Sequence, residues 1–441
     1  SKIRLHGSSS GYTEIAPVAA SGNNTLTLPD DGTIISKDAA GAVGVTSVHT
    51  TNITATGIAT ITTAKIGAGV TITESGIEAS GIGITCANIN GTQIGGRRNM
   101  FKNGAMIVSQ RGTSFTSAAN GEIQVDGITL TNNTDAVYTV SQSTTSPDGF
   151  GNSWKIVPTT ADTSLTEFQM TRFSYVFEGQ DLQQLAKGTS SAKEGVISFY
   201  VKTNKTGVYN LWLYDADNTR YFANTYTVSD TNWNRYAIVI PADTTGAYDN
   251  DNAKSLVVVW ALALGSGRAT SGTNPTTWGA YSSSTEEGKG HTATFADSTS
   301  NEFYITGIQY EIGSQATAFE HRSFGDELAL CQRYYYRWAS GTSKYLTSGH
   351  YYSTGLFAAT FSFPTTMRST PTLDYLTGTD RYIIYTKGTT DGVNAISLVR
   401  AHENGGGFDI TDGAAGDLGA GGSLSTNNND IHVSFTAELA P

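Results

Sequence analysis

The chain is poor in cysteine. Its 441 residues hold two, Cys86 and Cys331, far apart and neither beside a second Cys. Such spacing gives no disulfide framework and no zinc site, and leaves free thiols of a protein made in a reducing cytosol as the plain reading. Charge is scarce as well, at 15% of residues, a low share for a helical soluble enzyme. The balance is 27 basic against 38 acidic residues, net −11. A surface of that sign repels phosphate backbones and anionic lipid, so nucleic acid is excluded as a partner. No apolar run reaches the ~18 residues of a membrane span. The opening SKIRLHGSSSG lacks the apolar middle of a secretory signal, so synthesis in the cytoplasm is expected. Helical periodicity is also missing.

What is plentiful is glycine, at 49 residues, and tyrosine, at 22, on a background of Thr, Ser and Asn. Glycine-punctuated polar strands are the mark of all-β proteins, and the length calls for two to four units. The fold class is therefore all-β.

Residues 1–45 carry few large apolar side chains: Tyr12, Ile15, Val18, Leu26 and Leu28, with turn chemistry at Pro29-Asp30-Asp31-Gly32. The segment is either a tail without a fold of its own or one ordered by packing on partner chains. Residues 46–98 repeat isoleucine beside glycine. Ile72, Ile77 and Ile82 step by five, as do Ile84, Ile89 and Ile94, and Gly57, Gly76, Gly81 and Gly83 each precede an isoleucine. A buried Ile contributes about 1.5–3 kcal/mol, whereas ordering each residue costs about 1–2 kcal/mol, so a lone thread loses the comparison. Three chains wound about one axis would bury Ile58, Ile66, Ile72, Ile77, Ile82, Ile84, Ile89 and Ile94 as a stem core. The competing reading is a flexible Gly/Thr linker.

From residue 99 to 324 the strand candidates are Trp154–Val157, Phe173–Phe177, Gly195–Lys202, Tyr209–Tyr214, Arg235–Ile240, Leu256–Leu264 and Phe303–Ile312. Seven such strands separated by polar turns suggest a two-sheet sandwich of jelly-roll type. Residues 325–441 open with a short linker or helical turn, Gly325 to Cys331, and continue as a second β domain rich in tyrosine. The run Gly405 to Gly422 reads as a mobile loop and Ile431–Ala437 as a closing strand.

The segment Asn99-Met100-Phe101-Lys102-Asn103-Gly104, followed by Gln110-Arg111-Gly112, resembles the opening of the jelly-roll domain in tail fibres of tailed bacteriophages, marine and cyanophage fibres among them. Tyr304 to Gly313, with Ala316 to Arg322, resembles that domain's last strand and exit, and Glu327 to Tyr335 the linker into a C-terminal receptor-binding knob. Phe363 to Thr372 resembles a knob segment, and Gly11-Tyr12 to Thr33 is similar to virion-anchoring segments. The resemblance implies an elongated homotrimeric fibre with an anchor (1–45), an intertwined stem (46–98), a jelly roll similar to carbohydrate-binding modules (99–324) and a receptor-binding knob (325–441). It implies a virion protein docked by its N-terminus on a tail or baseplate adaptor and attached to a bacterial surface polysaccharide such as lipopolysaccharide. Beyond Glu438-Leu439-Ala440-Pro441 no long chaperone segment of the self-cleaving kind is expected.

Catalytic chemistry is sparse. The seven histidines form no H-E-x-x-H pair, and neither a G-x-S-x-G elbow nor a phosphate-cradling loop occurs. His49 could donate to a metal shared on a three-fold axis, but a packed or solvated histidine is the commoner case. Glycan cleavage needs two carboxylates ~5–9.5 Å apart, whereas Glu302 and Glu311 on one strand would lie about 30 Å apart at ~3.3 Å per residue. Glu286-Glu287, in a Ser/Gly loop, reads as solvated. Oxygen ligands for calcium are available in Asp215, Asp217 and Asn218, or Asp249, Asn250 and Asp251, although polar turns use the same residues; no other cofactor is expected.

Sugars are held by aromatic faces and planar polar side chains. The C-terminal domain offers Tyr351, Tyr352, Tyr375, Tyr382 and Tyr385, with Arg381, His402, Glu403 and Asn404 nearby in sequence. Trp278 and Tyr281, in the loop 265–290, are the exposed candidates of the jelly roll. For any one of these tyrosines, core or inter-subunit packing is the commoner role. A glycan-binding, non-catalytic fibre is the leading expectation; a virion glycan depolymerase and a secreted bacterial adhesin are the alternatives.

Overall fold

The computed structural model describes residues 97–411 and 413–441, together with seven short strands before them. The chain divides into two compact units, Ser1–Thr85 and Cys86–Pro441.

In the first unit β1 (Ile3–His6) pairs antiparallel with β2 (Tyr12–Ile15). A separate meander joins β3 (Thr63–Ile66), β4 (Val70–Thr73) and β5 (Gly76–Ala79). In the backbone register Ile66 lies opposite Val70 and Ile72 opposite Ile77, within one chain. Ile89 lies on β6 (Asn88–Ile89), which pairs with β7 (Thr92–Gln93). Ile58, Ile82, Ile84, Ile94 and His49 lie outside the described residues.

The second unit holds two sandwiches. The first is built from β8 (Ser114–Phe115), β9 (Thr129–Asn132), β10 (Val137–Ser143), β11 (Ser153–Thr160), β12 (Met170–Glu178), β13 (Gly195–Thr203), β14 (Gly207–Asp215), β15 (Arg220–Val228), β16 (Asn234–Ile240), β17 (Lys254–Leu264), β18 (Gly279–Ala280) and β19 (Phe303–Ile312). One sheet runs β16-β13-β19-β11-β10-β8 and the other β18-β15-β14-β17-β12-β9. Trp154, Phe173, Phe199, Trp260 and Phe303 fill the space between them.

The segments carrying the fibre resemblance close this sandwich. Asn99 donates to the Ile308 carbonyl and accepts from the Tyr310 amide, and Asn103 bonds Val108 and Asp126. Gly104 must be glycine here, because a Cβ would lie 2.1 Å from the Ile308 oxygen. Arg322 holds the Asn99 and Phe101 carbonyls and the Glu327 carboxylate. Each of these polar groups is a buried partner for backbone that would otherwise be unsatisfied.

Helix α1 (Phe324–Gln332) follows, capped by the Ser323 hydroxyl on the Asp326 amide, with Asp326 and Glu327 in its first turn. The knob comprises β20 (Tyr335–Ser340), β21 (Tyr345–Ser353), β22 (Leu356–Ser362), β23 (Thr372–Tyr375), β24 (Tyr382–Thr386), β25 (Thr389–Val393), β26 (Ser397–His402), β27 (Gly405–Ile410), β28 (Gly421–Thr426) and β29 (His432–Thr436). A three-stranded sheet, β20-β29-β23, faces a seven-stranded one, β25-β24-β28-β21-β22-β27-β26. The run from Gly405 to Gly422 is thus not one mobile loop, since β27 and β28 occupy its two ends. Its glycines permit close strand contact: a Cβ on Gly405 would stand 2.3 Å from the Phe361 oxygen.

Candidate functional site

A sandwich sheet ordinarily alternates, apolar inward and polar outward. β17 does not. Leu256, Val258, Trp260 and Leu262 enter the core, while Val257 and Val259 on the opposite face are also buried, in a second cluster with Val176, Trp212, Tyr221 and Ala223. The outer face of this sheet is therefore apolar and aromatic. Pairing across it brings Arg172 of β12 opposite Ala261 and Trp212 of β14 opposite Val259, which sets both side chains on the same outer face.

The loop after β18 covers part of this face. Tyr281 stacks on Trp212 at 6.2 Å and 10°, and meets Tyr214 edge-on at 5.3 Å. A turn at Ser284–Glu286, closed by a capping box between Ser283 and Glu286, fixes the loop and turns Glu287 inward. The Tyr281 hydroxyl donates to Glu287 at 2.7 Å, and Arg268 pairs with the other Glu287 oxygen. Burial first, then the neighbouring Glu287 charge, pushes the Tyr281 hydroxyl well above its ordinary pKa, so it stays a donor.

Between these walls lies a groove of about 200 Å³, lined by Arg172, Trp212, Tyr214, Lys254, Tyr281 and Glu287, with Pro441 at its margin. The Arg172 guanidinium sits 5.4 Å from the Trp212 ring centroid and 3.9 Å from Glu287. Its Nε is enclosed and has no hydrogen-bond partner among the described residues. The volume admits a single sugar ring, with aromatic faces for its C–H surface and fixed donors for its oxygens. Among the described residues lining the groove, Glu287 has the sole acidic side chain.

Of the residues singled out from sequence, the groove contains Tyr281 and Glu287, the latter buried rather than solvated as expected. Trp278, expected to be exposed, is buried: its Nε1 donates to the Pro241 carbonyl, and Lys187 lies over its ring. Tyr351 and Tyr382 belong to the knob core, bonded to Asp391 and to the Leu376 carbonyl. Tyr375 packs half-buried against that core. Tyr352 and Tyr385 are exposed, at 70% and 39%, and Tyr385 meets Tyr345. Arg381 pairs with Asp430. The turn at Glu403-Asn404 is tied to Met367, Phe363 and Thr366. His402 lines a second, wider groove of about 460 Å³ on the seven-stranded sheet, with His350, Phe361, Arg400 and Asp409. The knob candidates therefore do not converge on one place. Sequence reasoning missed Arg172, Trp212, Tyr214 and Lys254, although the unbroken apolar run of β17 was the available signal for a covered outer face.

The acidic turns face a lysine and backbone amides. Asp215 is fully buried and its carboxylate lies 2.6 Å from Lys187, whose ammonium is also 3.1 Å from Asp243. Asp217 and Asp251 accept from the Asp249 and Ala253 amides. Among the described residues no three His, Cys, Asp or Glu side chains meet as a metal-ligand set. Glu302 is held by Lys155 and Tyr304, and Glu311 by Gln309 and Thr317.

No protein-family model and no curated protein matches the chain. Among solved structures it is similar to the enzymatically active domain of bacteriophage CBA120 tailspike protein 4, at 13% identity over 45% of this chain and 21% of that one, TM-score 0.23. It thus spans about a fifth of that domain. It is also similar to a family 11 carbohydrate-binding module of a Clostridium thermocellum cellulosomal cellulase, at 12% identity, 46% and 98% coverage, TM-score 0.24. A third likeness is to a xylan-binding domain from CBM 22, at 11% identity, 47% and 99% coverage, TM-score 0.25.

Proposed function

We propose that this chain is a non-catalytic attachment fibre of a tailed phage that holds a host-surface glycan in the groove between Arg172, Trp212 and Tyr281. The observation that carries the glycan reading is the groove itself: stacked aromatic rings and a guanidinium whose Nε has no hydrogen-bond partner among the described residues converge on a space of sugar size. The fibre reading draws on the sequence resemblance. Those motif residues, Asn99, Asn103, Gly104, Arg322 and Glu327, close the jelly roll and lead into the knob, so they specify architecture and leave the ligand free to vary. The chain acts as a homotrimer, its N-terminus docked on a tail or baseplate adaptor of the virion. Each site binds weakly and trivalency supplies the strength.

Hydrolysis is disfavoured because a glycosidase places two carboxylates about the scissile bond. Among the described residues lining this groove Glu287 has the one acidic side chain, and it is held by Arg268 and Tyr281. The test is sedimentation of purified protein with host-surface polysaccharide. Retention without oligosaccharide release, reduced by Tyr281→Ala and by Trp212→Ala, is the expected result. Release of oligosaccharide would turn the reading to a depolymerase, and the chain's absence from purified virions would turn it to a secreted adhesin.

A further inference from the structure

We infer that the groove is built for an acidic sugar, whose carboxylate is taken by Arg172, with Lys254 a second cation in the lining; this rests on the glycan reading above. The case starts from Arg172 as an exception. Arg322, 7% exposed, bonds two carbonyls and Glu327. Arg220, 16% exposed, grips Asp243 with two nitrogens, and Arg268 bonds the Phe168 carbonyl and Glu287. The Arg172 side chain is similarly enclosed, at 18% exposure, yet its Nε has no hydrogen-bond partner among the described residues and its guanidinium comes no nearer than 3.9 Å to Glu287.

An arginine that gives up hydration without gaining acceptors is destabilising unless something supplies them. Glu287 does not. It lies 3.9 Å from Arg172, and its two oxygens are already engaged by the Tyr281 hydroxyl and by Arg268. Trp212 and the strand hold the guanidinium in place, so its planar donor fork is set before any ligand arrives. That fork matches a carboxylate with two parallel bonds, which a sugar hydroxyl cannot accept. Lys254 adds a second positive charge to the groove lining, in a protein whose net charge is −11. A neutral ring would use the aromatic faces and leave the Arg172 Nε without a charged acceptor.

The experiment titrates the full chain with matched pairs, methyl glucuronide against methyl glucoside and methyl galacturonide against methyl galactoside, with acetate as the bare anion. Tryptophan fluorescence or ligand-observed NMR supplies the readout. The uronide of at least one pair should bind about tenfold more tightly than its neutral partner, as a charge-assisted hydrogen-bond pair implies. The preference should shrink as salt is raised. Arg172→Gln should bring the affinity for the uronide down to that for its neutral partner, and Lys254→Gln should weaken the preference. Should Arg172→Gln fail to fold, the Lys254→Gln variant and the salt dependence decide. Equal binding within each pair, a preference surviving Arg172→Gln, or acetate binding as tightly as the uronide would overturn the inference. Equal binding that Tyr281→Ala removes leaves the glycan reading intact. No binding of any sugar brings both down.

Discussion

Arg333 grips Glu178 with two parallel hydrogen bonds, Nε to Oε1 at 2.7 Å and Nη2 to Oε2 at 2.6 Å, across the seam between the jelly roll and the knob. Glu178 ends β12 and is fully buried; Arg333 follows α1. Burial alone would raise the Glu178 pKa, but bonds from Arg333 and Tyr334 and the charge of Lys102 hold it below its ordinary value. The two sandwiches are therefore joined by charge-assisted bonds with fixed geometry rather than by a slack tether.

Removing the carboxylate strands Arg333 at this seam, while Lys102 keeps Asp181 as its partner. Glu178→Gln should cost about 3 kcal/mol, the lower end for breaking a buried pair, because Arg333 keeps some access to water. In calorimetry one cooperative transition should become two, with the knob melting first. A single unsplit transition at the wild-type temperature would refute this. Since the folded pKa is depressed, the contribution is complete above the unfolded value near 4.5 and fades as pH falls through the folded one.

Asp126 at the same seam behaves in the opposite way. Burial raises its pKa from 3.8 to about 6, against the pull of Arg111 and of the Gln110 hydrogen bond. Between those values the folded state binds the extra proton, so this group's contribution to stability declines as pH rises from about 4 to 6. The full swing is about 3 kcal/mol at 1.36 kcal/mol per unit. Denaturant melts of wild type and Asp126→Asn, compared from pH 4 to 7, should converge at the acid end and diverge toward neutrality, with the variant the more stable. Parallel curves would show that Asp126 does not titrate there.

Lys187 answers for the acidic turns. Its ammonium lies between Asp215 and Asp243, so it supplies the positive charge that calcium would otherwise bring. Lys187→Met should destabilise by about 3–5 kcal/mol, since a buried carboxylate is left unpaired. Added calcium should not move the wild-type melting temperature. A calcium-dependent rise that Asp215→Asn removes would restore the metal reading.

The framework of the jelly roll is written locally and the groove is not. Phe303–Ile312 appears with the bounds its sequence announces, a β-branched and aromatic run stopped by Gly313. Arg220–Val228 escapes such reading because Asn224, Thr225 and Thr227 look like turn residues, although the strand pairs with β14 along its whole length. Trp278 and Tyr281 are three positions apart, yet one is packed beneath Lys187 while the other lines the groove. Arg172, Trp212 and Glu287 meet only through the order β14-β17-β12 and the loop after β18, contacts that no local window contains. Glycine misleads when its task is close strand approach rather than a bend, as at Gly405.

Assembly is the remaining prediction, and it turns on the isoleucines. The β3-β4-β5 meander sets Ile72 opposite Ile77 and Ile66 opposite Val70, but a three-stranded sheet of four-residue strands is a single layer. A layer needs a second surface against which to bury its apolar face, and strands this short gain little from pairing alone. Three copies about one axis would supply that surface to each other. Light scattering on the full chain should then give about 140 kDa, three times the 46.6 kDa of one chain. The double substitution Ile72→Asp, Ile77→Asp places charges where the apolar face would be and should shift the mass toward a single chain, leaving the sandwich transition where it was. A wild-type mass of one chain would remove the trimer, and with it the trivalent attachment that compensates for weak individual sites.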